Sequence, residues 1–265
     1  MAAPPFLRRR SVRLLWQVGG GLLTVAMLVL GTAQVVVALA HENETVEEEF
    51  EAGIRLLDVG SDAGSVRIVG SDVDHIEMTA EVSHGLRRTD LDWDVDGDRL
   101  VVDTSCPFMF SDFCHVSFTF RVPRDIDLDI DSDSSITVDT IDGGAVLESE
   151  GGRIEATRMS GNLDMHSDAG RVVGTDLSSR LVQASSDAGL VELAFSEPPD
   201  NVVADSDAGR VEVVLPGGDE RAPYRVEADT DAGDEEVAVD PGGPSDGSIT
   251  ATSDAGNVTV RYASS

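Results

Sequence analysis

Apolar side chains fall on every second residue on both sides of a short polar step that recurs along the chain. Val182 and Ala184 precede one such step and Val191 and Leu193 follow it. Val202/Ala204 and Val211/Val213 flank the next, and Ile249/Ala251 and Val258/Val260 flank the last. The same arrangement stands at Leu57/Val59 and Val66/Ile68. Alternation of this kind is the period-two signature of strands with one buried face. It predicts units of strand, corner and strand. No stretch after residue 40 carries the 3.6-residue period of an amphipathic helix.

The polar step is Ser-Asp-Ala-Gly, word for word at 61–64, 167–170, 186–189, 206–209 and 253–256, with Thr for Ser at 230–233. Weaker copies stand at 132–135 and 149–152. Parity puts the Ser on the inward face with the aliphatic residues, where its hydroxyl can bond to backbone or to the next Ser above or below. The Asp points outward or caps the turn. The Gly supplies a positive φ or a close approach. From residue 132 onward the steps are 17, 18, 19, 20, 24 and 23 residues apart. A repeat of this length, unable to bury its own apolar face, predicts a parallel β-solenoid over 132–265, single-stranded and β-helix-like. The two widest gaps hold Pro216-Gly217-Gly218 with Pro223, and Pro241-Gly242-Gly243-Pro244. These read as loops hanging from the corners.

Residues 52–131 read differently. Ile76, Met78, Ala80 and Val82 alternate, as do Leu91, Trp93 and Val95, and Asp96-Gly97 turns a hairpin into Leu100 and Val102. Val116, Phe118, Phe120 and Val122 follow a loop bounded by Cys106 and Cys114. Antiparallel hairpin strands at the first end of the stack are expected here. The fold class is therefore all-β.

The N-terminus changes the picture from a free domain to an exported one. An apolar run over 14–40 follows Arg8, Arg9, Arg10 and Arg13. As a helix it would reach about 40 Å, enough for one bilayer crossing. The Arg cluster keeps residues 1–13 cytoplasmic and places the C-terminal domain outside, as a single-pass cell-membrane protein. Ala38-Leu39-Ala40 also suits a cleavage site, in which case the chain is secreted. The charged stretch over 41–51 reads as an acidic spacer.

None of the 50 acidic residues lies before His41, so the exported part is more negative than the −31 of the whole chain. Such a surface repels nucleic acid and excludes that class of partner. Outside the cytoplasm, Cys106 and Cys114 form a disulfide, or stay as two thiols. Their loop carries Phe108, Met109, Phe110 and Phe113. These four either cap the end of the core or present an apolar patch to a partner or the bilayer. Stacking would align Asp168, Asp187, Asp207, Asp231 and Asp254 as a column about 4.8 Å apart, a candidate calcium site. The stack tolerates that column without metal, because neighbouring charges in water repel by only about 0.9 kcal/mol. No cofactor is called for beyond calcium. The five His sit in no metalloprotease or nucleophile-elbow setting, and an enzyme is not expected.

An F…L-x-V-x-S-x-x-G-x-V-x-I opening from Phe50 to Ile68, the V-x-F-x-F-x-V-P strand at 116–123, and the repeated S-D-A-G-x-V-x-V units together resemble the bacterial putative-adhesin family of β-strand-repeat proteins, a domain of unknown function. The resemblance covers about 50–262. It implies a β-helix-like domain tethered at the cell envelope, and it brings no catalytic residues. The expectation is a non-catalytic adhesin or surface scaffold, whose partner is an envelope or surface protein or a glycan. The alternatives are an extracytoplasmic sensor or regulatory ectodomain, and a self-assembling structural protein, the last because no cap follows 258–262.

Overall fold

Alternating burial is the rule that builds the fold. In the computed structural model, which describes residues 42–62, 64–84, 90–105, 115–244 and 246–264, strand after strand hides every second side chain. The first half comprises β1 (Glu42–Phe50), β2 (Leu56–Ser61), β3 (Val66–Ser71), β4 (Ile76–His84), β5 (Asp90–Asp96), β6 (Arg99–Ser105), β7 (His115–Pro123), β8 (Asp127–Ser132), β9 (Ile136–Asp139), β10 (Ala145–Ser149) and β11 (Ile154–Thr157). There follow β12 (Leu163–Ser167), β13 (Val172–Leu177), β14 (Leu181–Ser186), β15 (Val191–Phe195), β16 (Asn201–Ser206), β17 (Val211–Leu215), β18 (Tyr224–Thr230), β19 (Glu235–Ala238), β20 (Gly247–Ser253) and β21 (Val258–Tyr262). Among the described residues the only helical element is a 3-10 turn at Gly218–Glu220.

The strands form two mostly parallel sheets. One runs β1-β4-β7-β3-β9-β11-β13-β15-β17-β21-β19, and the other β18-β20-β16-β14-β12-β10-β8-β2-β6-β5. Each Ser-Asp-Ala-Gly step joins a strand of the second sheet to one of the first. Pairing is in register, so like stacks on like: Leu163 lies beside Val182, Met165 beside Ala184 and Ser167 beside Ser186. The inward rows of both sheets merge into one apolar cluster running from Phe50 to Val260. Each row is buried only because another strand lies beside it, which is the physical basis of repeat stacking.

Spatial order departs from chain order at both ends. The β2–β3 pair lies between β6–β7 and β8–β9, and the C-terminal β20–β21 pair lies between β16–β17 and β18–β19. The last strand, expected to lack a cap, is therefore internal, and β18 and β19 are the edge strands at that end. The proline-rich segments around 216–223 and 239–246 are the crossovers that carry the chain one layer out and back. The first spans two strand separations, about 9–10 Å, and the second steps back by one.

The first eighty described residues correct two expectations. The stretch read as an acidic spacer forms β1 along β4, because Val46 and Phe50 reach the core on one face while its glutamates stay in water. The region 52–131 is only partly antiparallel. Pairs β4–β7 and β5–β6 are antiparallel, whereas β2–β6 and β3–β7 are parallel. The β5–β6 turn has Gly97 at φ 68°, where glycine is favoured. The apolar run at 14–40 and the loop with Cys106, Phe108, Met109, Phe110, Phe113 and Cys114 lie outside the described residues. Among those described, no helix is long and apolar enough to cross a membrane.

Candidate functional site

At the corners, the buried Ser hydroxyls make a continuous ladder. Ser132 donates to the Gly64 carbonyl (2.9 Å), Ser167 to Gly152 (3.1 Å), Ser186 to Gly170 (2.8 Å), Ser206 to Gly189 (2.7 Å), Ser253 to Gly209 (2.8 Å) and Thr230 to Gly256 (2.8 Å). Of the two expected roles for Gly, close approach is the operative one. A Cβ on Gly189 would sit 1.7 Å from the Gly170 oxygen, and one on Gly209 would sit 1.8 Å from the Gly189 oxygen. Neither residue has a positive φ.

The Asp residues that follow do form an outward row, in the spatial order Asp168, Asp187, Asp207, Asp254, Asp231. Each is exposed, and its own N–H is used by the neighbouring layer, as with Asp187 donating to the Ser167 carbonyl (3.2 Å). Further along, burial and then the charges of Asp62 and Asp131 push the Asp133 carboxyl above its ordinary value. Of the predicted five, Asp168 and Asp187 come together with a third group. His166, Asp168 and Asp187 can bring one ligand atom each within 4.8 Å of one another. Carboxylates suit calcium, whereas an imidazole suits transition metals, so His166 sets this position apart from the rest of the row.

His166 also makes the connections of a hydrolytic triad. Nδ1 lies 2.9 Å from Ser185 Oγ and Nε2 lies 3.1 Å from Asp168 Oδ1. The surroundings do not complete the machinery. Strand β14 is paired on both sides, by β12 and β16, so its backbone N–H groups are spent in the ladder and none is free to stabilise an oxyanion. The interaction ties two neighbouring strands across 19 residues of sequence.

A groove lies elsewhere on the same sheet. It has a volume of about 470 Å³ and runs across the outer face of β8, β10, β12, β14 and β16. Gly144, which has no side chain and whose N–H donates to Asp127 Oδ1 (2.7 Å), is among the residues that line it. Leu56, Leu181, Val146 and Val203 give it apolar walls, and Leu181 and Val146 are 45% and 40% exposed. Between them stand the polar side chains of Asp129, Asn162, Asp164 and Gln183. Sequence reasoning missed this groove because it assigned outward positions to solvent. The available signal was a break in alternation, with Val146, Leu181 and Val203 at positions whose parity points out.

A second apolar exposure sits on the edge strand β5, where Trp93 is 38% and Val95 48% exposed. They pair with the buried Val102 and Leu100, so they continue the inward face past the end of the covered core.

No family model matches the chain, and no curated protein matches it. Among solved structures, the chain is similar to a putative cell adhesion protein from Clostridium sporogenes, at 11% identity and a TM-score of 0.38, covering 84% of this chain and 100% of that one. It is also similar to a putative adhesin from Bacteroides fragilis, at 13% identity and a TM-score of 0.43, covering 84% and 97%. A putative lipid binding protein from Parabacteroides distasonis matches at 10% identity and a TM-score of 0.41, over 84% and 97%.

Proposed function

We propose that this chain is an exported, envelope-anchored β-solenoid that works without catalysis, by displaying its outer faces as an adhesion or scaffold module. The observation that carries this reading is the in-register Ser–Gly ladder, repeated from layer to layer along both sheets. A ladder of buried hydrogen bonds beneath a continuous apolar core makes a stiff element whose repeated outer surface faces solvent. In this reading residues 14–40 anchor the protein in the cell membrane with the N-terminus cytoplasmic. A Cys106–Cys114 disulfide would fix the loop bearing Phe108, Met109, Phe110 and Phe113 as a second contact surface. Calcium on the Asp row would add stability rather than chemistry.

Self-association is the weaker reading. The edge strands β18 and β19 carry Glu227, Asp229, Glu235 and Glu236, and charged edges oppose strand-to-strand pairing. Proximity crosslinking of the anchored protein in cells, with identification of its neighbours, tests the proposal. Recurrent capture of envelope proteins or glycans supports display. Capture confined to a membrane signalling protein would instead make this a sensor ectodomain.

A further inference from the structure

We infer that His166, Asp168 and Asp187 form a binding site for one divalent transition-metal ion of the zinc type, bridging two neighbouring layers of the stack. The inference goes beyond the surface-display reading and does not depend on it. Its carrying observation is the donor set and the way it is held. Strand β12 supplies His166 and the corner after it supplies Asp168, while Asp187 comes from the corner after β14. One ligand atom from each lies within 4.8 Å of the others. His166 Nε2 and Asp168 Oδ1 are already 3.1 Å apart. Two ligands of a tetrahedral zinc, at bond lengths of about 2.0–2.1 Å, lie roughly 3.3 Å apart. Asp187 is exposed, so its carboxylate can turn to complete the set without disturbing the core.

The imidazole is also oriented from outside the set. In-register pairing puts Ser185 beside His166, and Ser185 Oγ lies 2.9 Å from His166 Nδ1. That hydroxyl can accept from Nδ1–H, which leaves the Nε2 lone pair for a metal. A partner on the second ring nitrogen is the usual means of orienting a metal-bound imidazole. Charge agrees with a cation, because Glu148 stands in register with His166 on one side and Asp205 with Ser185 on the other. The imidazole then decides which cation, since a nitrogen donor suits zinc and its neighbours whereas calcium takes oxygen. Among the Ser-Asp-Ala-Gly corners and their weaker copies, only the one at Ser167 is preceded by His. One ion per chain is therefore expected.

Calorimetric titration tests the site. The untagged full chain, solubilised in detergent and stripped with chelator, would be titrated with zinc chloride in excess calcium chloride, so that sites made of carboxylates alone are blocked. The expected result is one zinc ion per chain, bound at least tenfold more weakly by His166→Gln and by Asp187→Asn. Asp207→Asn, in the same acidic row but outside the set, should bind zinc as the parent does. The two weakened variants lie in different layers and outside the core, and their circular dichroism without metal should match the parent. Cobalt in place of zinc should give a visible absorption band that His166→Gln loses. No zinc binding in excess calcium, equal binding by His166→Gln, or an equal loss in Asp207→Asn overturns the inference. Surface display is read separately by crosslinking in cells and stands or falls on that result alone.

Discussion

The Ser186 hydroxyl donates 2.8 Å to the carbonyl oxygen of Gly170, the same oxygen that leaves no room for a Cβ on Gly189. One backbone atom thus dictates two residues of the next corner: a small buried donor at its start and a glycine at its end. Ser186→Ala removes the donor and leaves that buried carbonyl short of a partner, at a cost of about 1–3 kcal/mol. Gly189→Ala forces the layers apart and should cost about 3 kcal/mol or more. Urea unfolding of both variants checks the order, and equal losses would contradict it.

Tyr224 is 2% exposed, and its hydroxyl is a buried polar atom with no hydrogen-bond partner among the described residues. Burial, and then the nearby Tyr262 and Asp200, push its pKa up to about 12. Tyr224→Phe discards an unsatisfied group while keeping the ring, so stability should hold or rise slightly. With the folded pKa above the unfolded value of about 10, Tyr224 keeps its proton longer when folded. Its contribution is full below pH 10 and is lost as pH rises towards 12. The unfolding free energy should therefore fall more steeply over that window in the parent than in Tyr224→Phe.

Asp207 stands between Asp187 and Asp254 in the outward row. At about 4.8 Å each neighbour repels it by roughly 0.9 kcal/mol in water. Asp207→Asn should raise the melting temperature at low salt, and the gain should shrink at 1 M NaCl, where the screening length is about 3 Å. Calcium binding to the row would add a rise in the parent at constant ionic strength that the variant shows less. A parent melting temperature unmoved by millimolar calcium removes the proposed calcium role.

His75 ties β1 to β4. Its Nδ1 lies 3.0 Å from Asp74 Oδ1, and Nε2 lies 3.2 Å from Glu77 Oε1 and 3.6 Å from Glu49 Oε1. The hydrogen bond that its ring N–H donates to Asp74, followed by the influence of Glu77 and Glu49, raises its pKa above 6.5. A raised histidine pKa contributes stability in full below the unfolded value, and loses it as pH climbs through the folded one. Proton NMR should place the His75 midpoint above 6.5 and show Asp74→Asn lowering it. Amide exchange in β1 should quicken as pH passes that midpoint, beyond the intrinsic pH dependence of exchange.

Much of this architecture was legible along the chain. The alternation around Val182, Ala184, Val191 and Leu193 marked the strands and their buried face, and the Ser-Asp-Ala-Gly step marked the corners. The charged stretch at 42–50 was misleading, because two core residues, Val46 and Phe50, suffice to hold a strand whose other positions are acidic. The groove was hidden for a related reason. Val146, Leu181 and Val203 are far apart in sequence and come to line one groove only through parallel pairing, which sets Asp164 and Gln183 between Val146 and Val203.

By itself the sequence determined the period, the inward serine and the strand-to-strand corner, because these follow from local parity and from the sterics of a small residue. Only the tertiary structure decided that the C-terminal strands slide in one layer from the end, that each glycine is kept for a neighbour's carbonyl, and that outward residues of separate repeats enclose a groove. Those facts depend on which layer lies beside which, and the local pattern is the same for every layer.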